Sequence, residues 1–506
     1  MSPAAARRGA LGVDVLASLN LVGALLKYLS LATLFPVPFA LASSEAVWPF
    51  LVAGLVGGLS GWAVERLTVG KNSVGVREGF LVVSLTWLVA AALGALPYVL
   101  SGEDQISSPI DAYFEAMSGF TTTGATVLTD VEAMPDSLLI WRQLTQWLGG
   151  MGIIVLALAV LPRLRVGGRQ LLEHELPGPE FEQMTARIRD TARRLWALYV
   201  ALTVAMVLIL SVFGWTGIDD AMSVFEAIAH AFSTLPTGGF STEARGVEAF
   251  APASQWVIAG FMAIAGANFA LLYRLFVRAD PRPLVRDEEF RLYVTLLLLG
   301  SLVLTLELWT EGIAKGEEAI RASVFQFISM MTTTGAASAD FNLWTTFAAV
   351  TLVAAMFFGG SAGSTAGSVK VVRHLLIGRI LRRELDQTVH PEIVSRVRLN
   401  GTPVDERILR AILSFVVLYI GVFALGTFFL VGDAARVDLD LRVLDAVAAS
   451  ATTLGNVGPA FGFAGPMGSF DPFSDLSKLA MILLMWLGRL EIIPVAVVLS
   501  RHYWRI

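Results

Sequence analysis

The sequence predicts an all-α integral membrane fold. An N-terminal two-helix hairpin precedes four tandem repeats, each a span, a half-helix, a Thr/Gly knot and a second span, set around one pseudo-fourfold axis. Three observations predict it. Of the 506 residues 55% are apolar and only 16% charged, with a mean hydropathy of +0.67, which suits spanning helices better than a soluble core. Ten apolar stretches are long enough to cross about 30 Å of hydrocarbon. Four polar knots recur between matching pairs of spans, about 100–120 residues apart.

The net charge of −5 is too small to decide between partners. With no cysteine there is no disulfide framework, iron–sulfur centre or thiolate metal site. The five histidines (His174, His230, His374, His390 and His502) include no pair at the i, i+4 spacing of a helical metal site, so metal catalysis is not expected.

In chain order the spans lie near 13–39, 47–64, 79–100, 138–162, 195–215, 254–276, 291–310, 343–378, 407–431 and 476–500. The first follows Arg7 and Arg8 and ends near Ala40-Leu41-Ala42, which imitates a signal-peptidase site. Its apolar run is much longer than the 7–15 residues of a signal-peptide core, so it reads as a retained helix. Orientation follows the basic residues. One set of connections holds Arg7, Arg8, Arg66, Lys71, Arg77, Arg163 to Arg194, Arg274 to Arg286, Arg379 to Arg410, Arg501 and Arg505. The alternate set is acidic, with scattered Arg245, Lys315, Arg321, Arg436 and Arg442. The first set is expected in the cytoplasm with both termini, the parity that ten spans require. The organisation is then 1–68 hairpin, 69–165 first repeat, 166–280 second repeat with its preceding cytoplasmic linker, 281–380 third and 381–506 fourth.

The knots follow acidic outer loops: "DAYFEAMSGFTTTGAT", "VFEAIAHAFSTLPTGGFST", "VFQFISMMTTTGAAS" and "VLDAVAASATTLGNVG". Each begins with roughly a dozen apolar residues, too few to span, so each reads as a helix that enters from outside and turns back. Non-helical backbone at membrane depth persists only where protein buries it or water reaches it, because unpaired N–H and C=O groups in lipid cost several kcal/mol each. The knots must therefore line one aqueous axis. Thr-Thr-Thr-Gly suits the replacement of an ion's hydration shell: threonine adds hydroxyl oxygens, and glycine's freedom in φ turns carbonyls inward. The half-helix C-termini add partial negative charge that favours a cation.

These loops resemble the filter segments of the Trk/Ktr/HKT superfamily of potassium transporters, and the extra N-terminal helix pair resembles its bacterial Trk pore subunit. The resemblance runs from Val13 to Arg505 and is most specific in "EAMSGFTTTGAT", "WLGGMGIIVLA", "TGGFST", "MMTTTGA", "GGSAGSTAGS" and "WLGRLE". It implies a pseudo-fourfold pore carrying K⁺, with no organic cofactor. Its filter residues fall on Thr122, Thr123, Gly124, Thr237, Gly238, Gly239, Thr333, Thr334, Gly335, Thr453, Leu454 and Gly455. K⁺ would sit at Thr123, Gly124, Gly238, Thr334, Gly335 and Gly455, with Gly238 and Gly239 both candidates for the second filter glycine. The second and fourth knots depart from Thr-Thr-Thr-Gly, so the ring should select less sharply than a symmetric one.

"FFGGSAGSTAGSVK", residues 357–370, interrupts the eighth span; Gly359, Gly360, Gly363, Ser364 and Gly367 cannot sustain a lipid-exposed helix. A phosphate-cradling loop is excluded because the G-x-x-x-x-G-K-[ST] pattern is missing. A broken helix that can block the path fits better, and the resemblance implies an intramembrane gating loop. Arg489 is costly inside the last span and needs a partner or an aqueous cavity. Two roles stay open for it: an ion pair with Glu491, or a positive charge at the pore waist that repels cations. Lys370 is expected to snorkel to the cytoplasmic surface. The charged segments near 163–195 and 382–407 suit lipid headgroups. The resemblance adds docking of a TrkA-like, nucleotide-binding cytoplasmic regulatory subunit, homodimerisation, and residence in the bacterial inner membrane. A Na⁺- or H⁺-coupled K⁺ symporter is the alternative, and no acid/base or metal constellation supports an enzyme.

Overall fold

The computed structural model describes residues 13–68, 75–106, 108–164, 181–393 and 395–504. Arg7, Arg8, Lys71, Arg165, Arg169, His174, Arg505 and the linker core 165–180 lie outside the described residues. The described residues are mostly helical, their strands being the two-residue pair Arg398–Leu399 and Thr402–Pro403.

Each of the ten apolar stretches coincides with a helix or a broken helix. The N-terminal hairpin is Val15–Leu29, continued through a 3₁₀ turn to Val37–Ala42, packed on Trp48–Leu67. Gly23 and Gly61 face each other there, and a Cβ on either would meet the other's carbonyl. The four repeats begin with Val76–Ser101, Phe181–Trp215, Glu288–Thr310 and Glu406–Arg436. They turn inward through half-helices Pro109–Phe120, Val224–Thr234, Gly316–Met331 and Val443–Gly455. At 12, 11, 16 and 13 residues these rise roughly 16–24 Å, short of the bilayer.

Their starts are written locally. Ser108 and Ser223 accept the N–H of Asp111 and Glu226, and each half-helix carries an acidic residue in its first turn, where the helix dipole favours it. Each half-helix is buried along most of its length, down to residues such as Phe114, Ala227, Met330 and Ala448.

The returning helices differ among the repeats. The first, Asp136–Leu164, is continuous. The second bends by 110° between Pro252–Ala265 and Phe269–Arg278, and the fourth by 114° between Asp475–Arg489 and Ile493–Leu499. The apolar patterning alone predicts a single span at each place. The bends have local causes: Asn268 caps the new helix through Ala270 N, while Glu491 and Ile492 both take positive φ (56° and 58°) in a tight turn just before Pro494. The third helix stops at Met356 and resumes at Val371, so 357–370 is the expected interruption.

Candidate functional site

The four knots share one backbone register, set where each half-helix ends. Ser118, Ser233, Ser329 and Thr452 accept the N–H of Thr123, Gly238, Thr334 and Val457 at 2.8, 2.8, 2.9 and 2.9 Å. The residue before each donor is left-handed: Thr122 (φ 52°), Thr237 (57°), Thr333 (56°) and Asn456 (54°). The residue after it is a glycine at positive φ: Gly124 (82°), Gly239 (76°), Gly335 (73°) and Gly458 (121°).

This register bears on the second and fourth knots. The second repeat presents Gly239, with Gly238 in the position of Thr123. In the fourth repeat Gly455 corresponds to Thr121 and closes the half-helix, while Gly458 holds the equivalent place. Thr453 and Leu454 are likewise helical and lie before the knot. Matching the knots by their Thr-Thr-x-Gly letters slides the fourth by three residues, because the helix end, not the threonine, fixes which residue must turn left-handed.

The glycines close a ring. A Cβ on Gly124 would strike Gly238 O; on Gly239, Thr334 O; on Gly335, Val457 O; and on Gly458, Thr123 O. Each repeat therefore abuts the next in the order 1, 2, 3, 4 and back to 1, and no side chain fits at any seam. All four glycines border one open cavity, together with loop residues including Ser241, Glu243 and Pro466.

The segments behind the ring are buried and cross-linked. In the first and third knots the hydroxyls of Thr121 and Thr123, and of Thr332 and Thr334, pair at 2.8 Å. Asn456 donates to Thr123 Oγ1 (3.0 Å) and to Met485 O (2.9 Å), tying the fourth repeat to the first. Glu115, fully buried, pairs with Arg142 at 2.5 Å and accepts from Thr126 and Val127 N; Arg142 donates to Ser241 O in the second repeat and covers the Phe240 ring. Lys478 pairs with Asp111 at 2.6 Å. Sequence reasoning passed over these pairs, although Arg142 and Lys478 lie inside apolar spans, which was the available signal.

Segment 357–370 lies against the same ring and does not line that cavity. Gly367 N donates to Thr333 Oγ1 (2.7 Å), Thr365 Oγ1 to Leu235 O (3.2 Å), and a Cβ on Gly367 would meet Gly455 O. Gly360 sits against Gly266 O, and Gly363 has φ 76° beside Asn268. Ser364 bonds to Ser361 O, and Gly359 pairs with Val369 in a short ladder. Glu289 Oε1 accepts both Ala362 N (2.6 Å), inside the segment, and Val372 N (3.2 Å), just past its end, so one carboxylate oxygen ties the two together. Arg489, 1% exposed, donates to Thr365 O (3.0 Å) and Gly149 O (3.4 Å). Glu491 bonds instead with Arg373, so the Arg489–Glu491 ion pair is not formed. Lys370 does not snorkel: it is 6% exposed and turns back onto Ala366 O.

A family model described as TrkH, cation transport protein, matches residues 50–505. The chain is 38% identical to the Trk system potassium uptake protein TrkH of Salmonella typhimurium over 459 residues, 90% of this chain and 91% of that one. It is 37% identical to TrkH of Escherichia coli K12 over the same shares. The crystal structure of the potassium transporter TrkH from Vibrio parahaemolyticus superposes with a TM-score of 0.87 at 34% identity, over 97% of this chain and 100% of that one.

Proposed function

This chain belongs to the TrkH family of cation transport proteins, and from that membership we propose that it takes up K⁺ across a bacterial inner membrane as the pore subunit of a Trk-type system. It is a multi-pass membrane protein. The observation that carries the proposal is the closed ring of four positive-φ glycines, each fitted against the next repeat and all opening on one outer cavity.

In this reading K⁺ loses its water within the ring and meets backbone carbonyls of the segments Thr122–Gly124, Thr237–Gly239, Thr333–Gly335 and Asn456–Gly458, with Gly124, Gly239, Gly335 and Gly458 as filter glycines. Replacing hydration oxygens matters because a bare ion in an apolar medium is penalised by tens of kcal/mol. Thr122 Oγ1 is buried with no hydrogen-bond partner among the described residues, which leaves it available to the ion. The buried C-terminal ends of the half-helices add negative potential. An inward-negative membrane potential drives entry with about 2.3 kcal/mol per charge per 100 mV.

Segment 357–370 is the gate in this proposal. It closes the inner end of the ring, and Arg489, without a carboxylate of its own, repels cations until the segment moves. The units 1–68, 69–165, 166–280, 281–380 and 381–506 are retained as hairpin and repeats, with both termini cytoplasmic. A nucleotide-binding cytoplasmic subunit would move the gate, and a homodimer is the expected assembly.

The test is tracer flux of K⁺, Rb⁺, Na⁺ and Li⁺ through purified protein in liposomes. K⁺ and Rb⁺ should lead, and Gly335→Ser should erase the preference. Equal flux of all four through the intact protein would overturn the proposal.

A further inference from the structure

The second knot lacks the parts that brace the first and third. Where those have Thr121 and Thr123, or Thr332 and Thr334, with paired hydroxyls, the second has Pro236 and Gly238. Neither can supply a hydroxyl. The missing brace comes from another repeat. Gln146, fully buried on the first returning helix, donates from Nε2 to Gly238 O at 2.7 Å and accepts from Phe240 N at Oε1 at 3.2 Å. One amide thus grips the backbone on both sides of Gly239. It also fills the space beside Gly238 that a side chain would take: a Cβ there would lie 2.6 Å from Gln146 Oε1 and 2.8 Å from its Nε2. On its other side Gly238 O abuts Gly124. The carbonyl at the seam between the first two repeats is wedged between a glycine of one knot and a glutamine of the same repeat.

We infer that Gln146 is a selectivity-positioning residue, an amide lent by the first repeat in place of the threonine side chain that the second knot lacks. This rests on the ring being the filter. Glutamine suits the task because it presents a donor and an acceptor in one plane, matching a C=O and an N–H that flank a single residue. The buried amide is met at both ends, so losing it leaves a carbonyl and an N–H of the second knot unpaired and free to rotate. Gln146 never touches the ion; it acts through Gly239.

The experiment is the K⁺/Na⁺ permeability ratio from bi-ionic reversal potentials of the reconstituted full-length protein. A ratio does not depend on how many molecules fold. Gln146→Ala should lower it at least fivefold, and Gln146→Glu, nearly isosteric, should do so too because it keeps the acceptor and loses the donor. Gly238→Ala should be harmful alone and milder in the Gln146→Ala background, where the methyl group has room. Gly335→Ser is the control for the ring. If Gly335→Ser collapses the ratio while Gln146→Glu leaves it at the wild-type value, the role of Gln146 is refuted and the filter stands. If neither moves it, both fall.

Discussion

Three β-branched residues, Thr122, Thr237 and Thr333, sit in the left-handed region at equivalent positions. That conformation costs an L-residue roughly 1–2 kcal/mol, and a β-branched one is a true outlier there. Strain repeated at one position and held by burial marks a site where geometry matters more than stability. The register yields a sharp expectation: Gly458→Ala, which would push a Cβ toward Thr123 O, should reduce K⁺ selectivity far more than Gly455→Ala, whose nearest neighbours lie at 3.2 Å and beyond. Equal effects in bi-ionic potentials would remove the ground for placing Gly458 rather than Gly455 in the proposed filter. At the cavity wall, burial and the nearby carboxylates of Glu226 and Glu132 push the Glu243 carboxyl up from its ordinary range. Acidifying the outer solution then neutralises Glu243 before an ordinary carboxylate and removes an attraction for cations. K⁺ influx at limiting K⁺ should fall about twofold as external pH drops, and Glu243→Gln should flatten that limb of the pH profile.

Among elements, the first half-helix depends on a buried ion pair. Glu115 and Arg142 have 0% and 2% of their side chains exposed, and removing one partner of such a pair strands the other charge. Glu115→Ala should cost about 3–5 kcal/mol, measured as a lower unfolding temperature in detergent, and release the stretch after Gly124 that Glu115 holds through Thr126 and Val127. Segment 357–370, the proposed gate, is held differently, by hydrogen bonds to its backbone that include Gly367 to Thr333, Arg489 to Thr365 and Ala362 to Glu289. Shortening 359–367, or replacing Arg489 by alanine, should raise passive K⁺ flux severalfold in liposomes. Unchanged flux would leave this segment a structural brace.

Over the whole molecule, the repeats share one backbone path but not one chemistry. The knots read T-T-T-G, P-T-G-G, T-T-T-G and G-N-V-G from the position of Thr121 onward. The first and third match, while the second borrows Gln146 and the fourth sends Asn456 across to Thr123. The returning helices also differ, one continuous, two bent and one interrupted, so the interior below a nearly fourfold ring has no fourfold symmetry. The proposed mode is uniport: with K⁺, Na⁺ and pH gradients imposed together, the reversal potential should track K⁺ alone. A displacement with the Na⁺ or pH gradient would favour symport.

The spans, the half-helices and the interruption at 357–370 were legible in the sequence, because the hydrocarbon acts as one solvent that judges each stretch by its own residues. Where the knots occur was legible too, since glycine and threonine between short apolar runs are local signals. What only the tertiary structure decided is which residues face one another: Gly458 rather than Gly455 at the fourth seam, Gln146 against Gly238, Lys478 against Asp111 at a separation of 367 residues, and Arg489 on Thr365 rather than Glu491. Closing a ring brings together repeats far apart in the chain, and the choice of partner at each seam is made by space and unpaired backbone groups that no single stretch encodes.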